Sequence, residues 1–222
     1  MNIALTSDLP LTANQAVFEL MRKRHPRPRI VWIPPSTRTG RERYPIAQEQ
    51  FGAYGFSNLE YFDIDEELNE VQLAILDQFD IIYLTGGDPL GFRRNILRSG
   101  LSTRLRQCLA AGCLVVAASG GSMQLTKNVS LFRLVDHPLD KVLEEHGEYD
   151  AIGIVKYEIL PHLNRLESSF LEKVRCYSEQ IDHDVIGLAD GAALLYVNSD
   201  KYLCVGQVTK FHDGKVELIE TA

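Results

Sequence analysis

Long hydrophobic runs are missing from this chain. The longest, such as CLVVAA at 113–118, falls well short of the about 20 apolar residues that a membrane-spanning helix needs. The first residues, MNIALTSDLP, lack a basic start followed by a long apolar region, so a cytoplasmic location is expected. Cysteine is scarce. Cys108, Cys113, Cys176 and Cys204 are scattered with no C-x-x-C spacing, which argues against a zinc or redox motif and for reduced thiols. Basic residues are outnumbered, 23 Lys and Arg against 30 Asp and Glu, and the net charge of −7 disfavours nucleic acid and anionic membrane as partners. Neither G-x-x-x-x-G-K-[ST] nor G-x-G-x-x-G occurs, so no phosphate-binding loop is signalled. Repeats, low-complexity segments and linkers are absent as well. The 222 residues read as one domain, 1–222, large enough to bury a sizeable core, with a small molecule or peptide as the expected partner.

What is present is alternation. Short apolar runs at NIALTS, RIVWIPP, LEYFDI, DIIYLTGG and CLVVAAS read as strands. NQAVFELMRKR, ERYPIAQEQFGAYG, ELNEVQLAILDQ and LSTRLRQCLAAG between them read as helices, the second interrupted by Pro45. This is the pattern of βαβ units and a parallel sheet. In the second half AIGIVKYEIL reads as a strand, NRLESSFLEKVRCYSEQ as an amphipathic helix, and VIGLA, AALLYV, KYLCVGQVTKF and KVELIE as strands joined by tight turns. The expectation is an α/β fold whose mostly parallel sheet carries antiparallel C-terminal strands.

In open α/β sheets ligands bind beyond the carboxyl ends of the strands. CLVVAASGGSMQLT bends there at Ser119, with Ala117 and Gly121 two residues to either side. A sharp strand-to-helix reversal needs small residues at those positions, which makes A-x-S-x-G a variant of the nucleophile elbow. The plain alternative is Ser119 as a helix N-cap. A second strand end gives Gly86, Gly87 and Asp88, where paired glycines allow close backbone approach and, with the N–H of Gly120, two donors for an oxyanion. A loop that merely needs positive φ would read the same.

A third gives Pro161-His162, with Asn164 and Glu167 resembling a capping box. His25, His183 and His212 lie in loop-like or turn-like sequence, while His137 and His146 fall in an irregular region. Asp190, after VIGLA, is placed to orient an imidazole, although Asp190-Gly191 is also a strong hairpin signal. Asp136 and Asp140 compete for the acidic role.

Taken in order, Gly-Gly-Asp after a strand, Ser at an elbow of small residues, Pro-His, and Gly-Leu-x-Asp-Gly resemble the S51 serine peptidases, the family of dipeptidase E and cyanophycinase. The resemblance runs from about Ile3 to the final strands. It implies a three-layer, flavodoxin-like fold similar to class I glutamine amidotransferases, and a Ser-His-acid triad. Ser119 matches the nucleophile, His162 the base, Asp190 the acid, and Gly87 with Gly120 the oxyanion positions. Ala-Ala-Ser-Gly-Gly-Ser departs from the family's usual Gly-x-Ser-Ala-Gly-Ala, which implies a more flexible elbow. No metal or organic cofactor is implied. The function expected is hydrolysis of short peptides through an acyl-enzyme, with N-terminal aspartyl dipeptides as the class the resemblance suggests. Arg93, Arg94 and Arg165 are the cations placed to meet an acidic side chain, and each also reads as a solvated surface charge. The alternatives are an esterase or amidase with the same triad, and a non-catalytic member that binds peptides or protein partners.

Overall fold

Five parallel strands form the spine of the protein in the computed structural model, which describes residues 2–10, 12–23, 26–196, 198 and 201–219. These are β1 (Ile3–Thr6), β2 (Ile30–Ile33), β3 (Leu59–Tyr61), β4 (Ile81–Leu84) and β5 (Leu114–Ala118). Their order is β3-β2-β4-β5-β1, and β8 (Ala193–Tyr196) and β9 (Tyr202–Val205) continue the sheet antiparallel beside β1. His25 lies outside the described residues, as do Arg24, Val197 and Glu220 at the ends of three expected elements.

β1, β2, β4 and β5 are buried throughout. Because successive side chains point to opposite faces, each strand feeds two cores. Ile3, Leu5, Val31, Ile33, Ile82 and Leu84 enter one. Ala4, Ile30, Trp32, Ile81 and Tyr83 enter the other. The second face is covered by α1 (Gln15–Arg22) through Val17, Phe18 and Met21, and by α2 (Thr37–Ala53) through Ala47 and Phe51. The first is covered by α3 (Glu70–Ala74), α4 (Pro89–Ser99) and α5 (Leu101–Ala110), through Leu73, Phe92, Ile96, Leu101 and Leu105. Helices on both faces of a mostly parallel sheet make the three-layer α/β architecture.

Two helices differ from the sequence reading. α2 continues through Pro45, because Tyr44 packs on Trp32 and Tyr61 before it and Ala47 and Phe51 are buried after it. Tertiary packing on both sides outweighs the missing N–H. α4 was not expected at all, yet its signals are local: Asp88 accepts N–H bonds from Leu90 and Gly91, Pro89 opens the helix, and Gly100 ends it at φ 77°.

The chain end does not add to one sheet. β6 (Glu158–Leu160), β7 (Val185–Leu188), β10 (Val208–His212) and β11 (Lys215–Ile219) form a second sheet in the order β11-β10-β7-β6, with β6 parallel to β7 and the others antiparallel. Helix α8 (Ser168–Ser178) buries Val174 and Tyr177 in a third core with Leu160, Val185 and Phe211. KYLCVGQVTKF is two strands, parted at Gly206 (φ 70°), one in each sheet. AIGIVKYEIL is a strand only over its last three residues, since residues 151–155 bond as a loop to the segment 124–127.

Candidate active site

Ser119 joins β5 to a short helix, α6 (Gly120–Gln124), with φ 50° and ψ −120°, a conformation L-residues rarely occupy. Its N–H donates to the Thr6 carbonyl at 2.9 Å, fixing the bend against β1. Ser122 adds a second stitch: its hydroxyl accepts the Thr6 N–H at 3.1 Å and lies 2.7 Å from the Ala117 carbonyl oxygen. The Ser119 hydroxyl caps no backbone N–H, so it is left for other partners.

The two glycines after Ser119 answer a steric demand. A Cβ at Gly120 would stand 2.2 Å from the Gly87 carbonyl oxygen, and one at Gly121 would stand 2.4 Å from that of Leu84. Gly87 itself has φ 137° and lies against Pro35. The Gly-Gly elbow is therefore held closely between the β4 loop and β5, not loosened. Among the described residues neither the Gly87 nor the Gly120 N–H has a hydrogen-bond partner, and the two backbones adjoin beside Ser119.

His162 follows β6 and Pro161, in the left-handed region at φ 57°. Its Nε2 is 3.0 Å from Ser119 Oγ, and its Nδ1 is 2.7 Å from Asp190 Oδ1. An ionised carboxylate only accepts, so the proton sits on Nδ1 and the Nε2 lone pair faces the serine hydroxyl. Ser7, at the end of β1, fixes the same residue from below: its hydroxyl accepts the His162 N–H at 2.8 Å and lies 3.3 Å from Nδ1. Apart from Asp213 in the β10–β11 turn, Ser119 and His162 are the only non-glycines with positive φ among the described residues. Such strain persists where surrounding structure over-determines it.

Asp190-Gly191 is not a hairpin. β7 before it and β8 after it belong to different sheets, so the tight turn carries the chain from one to the other and leaves the Asp190 side chain at their junction. Asn164 accepts the Asp190 N–H at 2.7 Å and donates to Oδ2 at 3.2 Å, while the Arg165 guanidinium also donates to Oδ2. Partial burial would raise this carboxyl, but the hydrogen bonds from His162, Arg165 and Asn164 outweigh it and hold it below the usual carboxylate range. Asp8 accepts the Gly191 N–H at 2.6 Å and steadies the turn.

Ser7 and Asp8 escaped the sequence reading, while Asn164 and Arg165 were read in other roles, as a helix cap and as a cation for an acidic side chain. Ser7 and Asp8 sit at a strand's carboxyl end, which was the available signal. Asn164 forms no capping box with Glu167, because both its amide groups are directed to Asp190.

Of the remaining candidates, most lie away from Ser119. The Asp88 carboxylate is engaged by α4, and Gly86 borders Ser119, where a Cβ would meet the serine Cβ at 3.2 Å. Asp136 and Asp140 flank the start of α7 (Leu139–Glu144), and Asp190 is the acid on His162 Nδ1. His212 pairs with Asp184. His146 and His183 direct Nε2 to the buried Glu158, at 3.4 and 2.8 Å, and Tyr177 completes that network at 2.8 Å. His146, Glu158 and His183 are the set among the described residues spaced to share a metal ion, and here both histidines bond the carboxylate. No described helix is long and apolar enough to cross a membrane.

Two clefts meet at Ser119 and His162. One, about 500 Å³, is of mixed character, with Arg43 and Gln50 beside Trp32, Phe51 and Tyr83. The other, about 170 Å³, is apolar and runs between α6, the turn Ser130–Val135 and α8.

Comparison with known proteins bears on the fold and the family. The chain is 30% identical over 104 residues to an uncharacterized peptidase, Lin0382, of Listeria innocua, covering 47% of this chain and 49% of that one. It is 24% identical over 142 residues to peptidase E of Streptomyces coelicolor, covering 61% and 56%. The matched stretch thus spans about half the length of these curated relatives. Among solved structures, a peptidase from an acI-B1 Actinobacterium superposes with a TM-score of 0.75 at 15% identity, over 99% of this chain and 94% of the other. A Listeria monocytogenes EGD-e protein described as a peptidase E superposes at 0.65 and 19%, over 99% and 98%. Both share the α/β fold. The sequence profile of peptidase family S51 matches residues 6–204, nearly the whole chain, and the protein belongs to that family.

Proposed function

We propose that the protein is a serine peptidase that hydrolyses short peptides through an acyl-enzyme, with Ser119 as nucleophile, His162 as general base and Asp190 as the orienting acid. The observation that carries this reading is the continuous relay from Ser119 Oγ through His162 to Asp190, at 3.0 and 2.7 Å. Nε2 takes the hydroxyl proton as Oγ attacks the scissile carbonyl carbon, and the imidazolium that forms is stabilised by Asp190. The negative charge that develops on the carbonyl oxygen is met by the N–H groups of Gly87 and Gly120. His162 then gives its proton to the leaving amine, and water repeats the sequence on the acyl-enzyme. No step calls for a metal or an organic cofactor.

An esterase or amidase would use the same groups on a different acyl substrate, and a non-catalytic peptide-binding member would use none of them. Labelling with a fluorophosphonate, followed by a panel of dipeptides and simple esters, separates the three. Labelling of the wild type but not of Ser119→Ala, with dipeptide cleavage, is expected. Labelling with ester but not peptide turnover assigns an esterase, and an unlabelled, inert protein overturns the reading.

A further inference from the structure

We infer that the peptide substrate places an apolar side chain, not an acidic one, in the pocket beside the scissile bond. This rests on the serine-peptidase reading above and names the substrate class. The smaller cleft opens on Ser119 and His162 themselves, so whatever fills it adjoins the reacting carbonyl. Its floor is Met123, Leu131 and Leu160, buried to 3%, 0% and 6% exposure, and Leu166 and Phe170 form the wall toward α8. Apart from His162 no lining residue is ionisable. Its volume of about 170 Å³ suits a phenyl or branched aliphatic group, since an apolar cavity of about 150 Å³ holds benzene.

The rim gives an independent sign. Phe132 is 39% exposed and Val135 56%, both on one turn and both facing this opening. Large apolar residues left in water next to a nucleophile mark a surface that a ligand covers.

None of the cations that would favour an acidic side chain lines this apolar pocket. Arg165 donates to Asp190 and lies 3.9 Å from Asp8, Arg93 donates to the Asp150 carbonyl, and Arg94 borders a cleft by Pro35 and Asp88 that adjoins the larger one at Arg43, Gly86 and Gly87. A carboxylate in the apolar pocket would lose water and gain no partner. Arg43 and Gln50 line the larger cleft, which also reaches Ser119, so the charged end of a short peptide belongs there.

The test is kcat/KM over Xaa-Ala and Ala-Xaa dipeptides with Xaa as Phe, Leu, Asp or Lys. Phe or Leu at one of the two positions should exceed Asp by about a hundredfold, the scale on which an apolar pocket discriminates. Val135→Lys, on the exposed rim where folding is not at risk, should move the Phe-to-Asp ratio about tenfold toward Asp by supplying the missing cation. Phe170→Ala should reduce the preference for Phe more than that for Leu. Aspartyl dipeptides cleaved as well as or better than Phe and Leu ones overturn the inference, as does a ratio that Val135→Lys leaves unmoved; both results leave the peptidase standing. If fluorophosphonate fails to label Ser119 and no dipeptide is cut, the peptidase reading is what has failed.

Discussion

Arg165 binds the Asp190 carboxylate oxygen that His162 leaves free, so the acid of the site is held from both sides. The two contacts differ in consequence. Asp190→Asn should favour the wrong His162 tautomer and lower kcat by about 10⁴-fold with the fold intact. Arg165 is 59% exposed, so its ion pair is screened, and Arg165→Gln should cost only about threefold to tenfold, with the wild-type enzyme drifting toward that value at high salt. Steady-state kinetics of both variants across ionic strength check this, and an Arg165→Gln loss as large as that of Asp190→Asn would contradict it.

Ser119→Gly separates strain from chemistry. Glycine accepts φ 50°, ψ −120° without the Cβ penalty, and no capping hydrogen bond is lost. Denaturant unfolding should show the variant equal to or more stable than wild type by about 1 kcal/mol, while hydrolysis disappears. A clear loss of stability would mean that the hydroxyl supports the fold.

Gly120→Ala tests the close packing of the elbow. The added methyl meets the Gly87 carbonyl oxygen, a backbone atom that can move only with its loop. Displacing Gly87 moves a proposed oxyanion donor, so kcat should fall by about 10²-fold or more. Gly52→Ala, where nothing lies within 4 Å of the new Cβ, is the control and should retain activity.

The buried Glu158 network should make stability depend on pH at both ends. Burial would raise Glu158, but hydrogen bonds from His146, His183 and Tyr177 hold it below its ordinary value. Burial would lower His183, but Glu158 and Asp182 raise it overall. The carboxylate contribution is present above about pH 4.3 and is lost as pH falls through the depressed folded value. The histidine contribution is complete below about pH 6.5 and is lost as pH rises through the raised folded value. Wild-type Tm should therefore be greatest between about pH 4.3 and 6.5, and Glu158→Gln should flatten the profile over about pH 4 to 9. Parallel profiles would show that the network does not titrate with folding.

Sequence legibility followed the range of the interactions. Strands β1, β2, β4 and β5 were readable because they are continuous apolar runs, buried on both faces. The elbow was readable because crowding between neighbours dictates small residues there. Asp190-Gly191 misled in one respect, since the same dipeptide serves a hairpin and a crossing between sheets, and nothing local tells which sheet receives the next strand. KYLCVGQVTKF misled for the same reason at Gly206.

By itself the sequence determined the α/β class, the strand ends at which chemistry gathers, and the order Gly-Gly, Ser, His, Asp, because these depend on local period, turn stereochemistry and residue type. Only the tertiary structure decided that Ser7 and Asn164 hold His162 and Asp190, that Arg165 is occupied there, that Gly120 is required by Gly87, and that the pocket beside Ser119 is apolar. Each of those facts joins segments that are distant in the chain, and side chains so separated meet only when two sheets and their helices have packed.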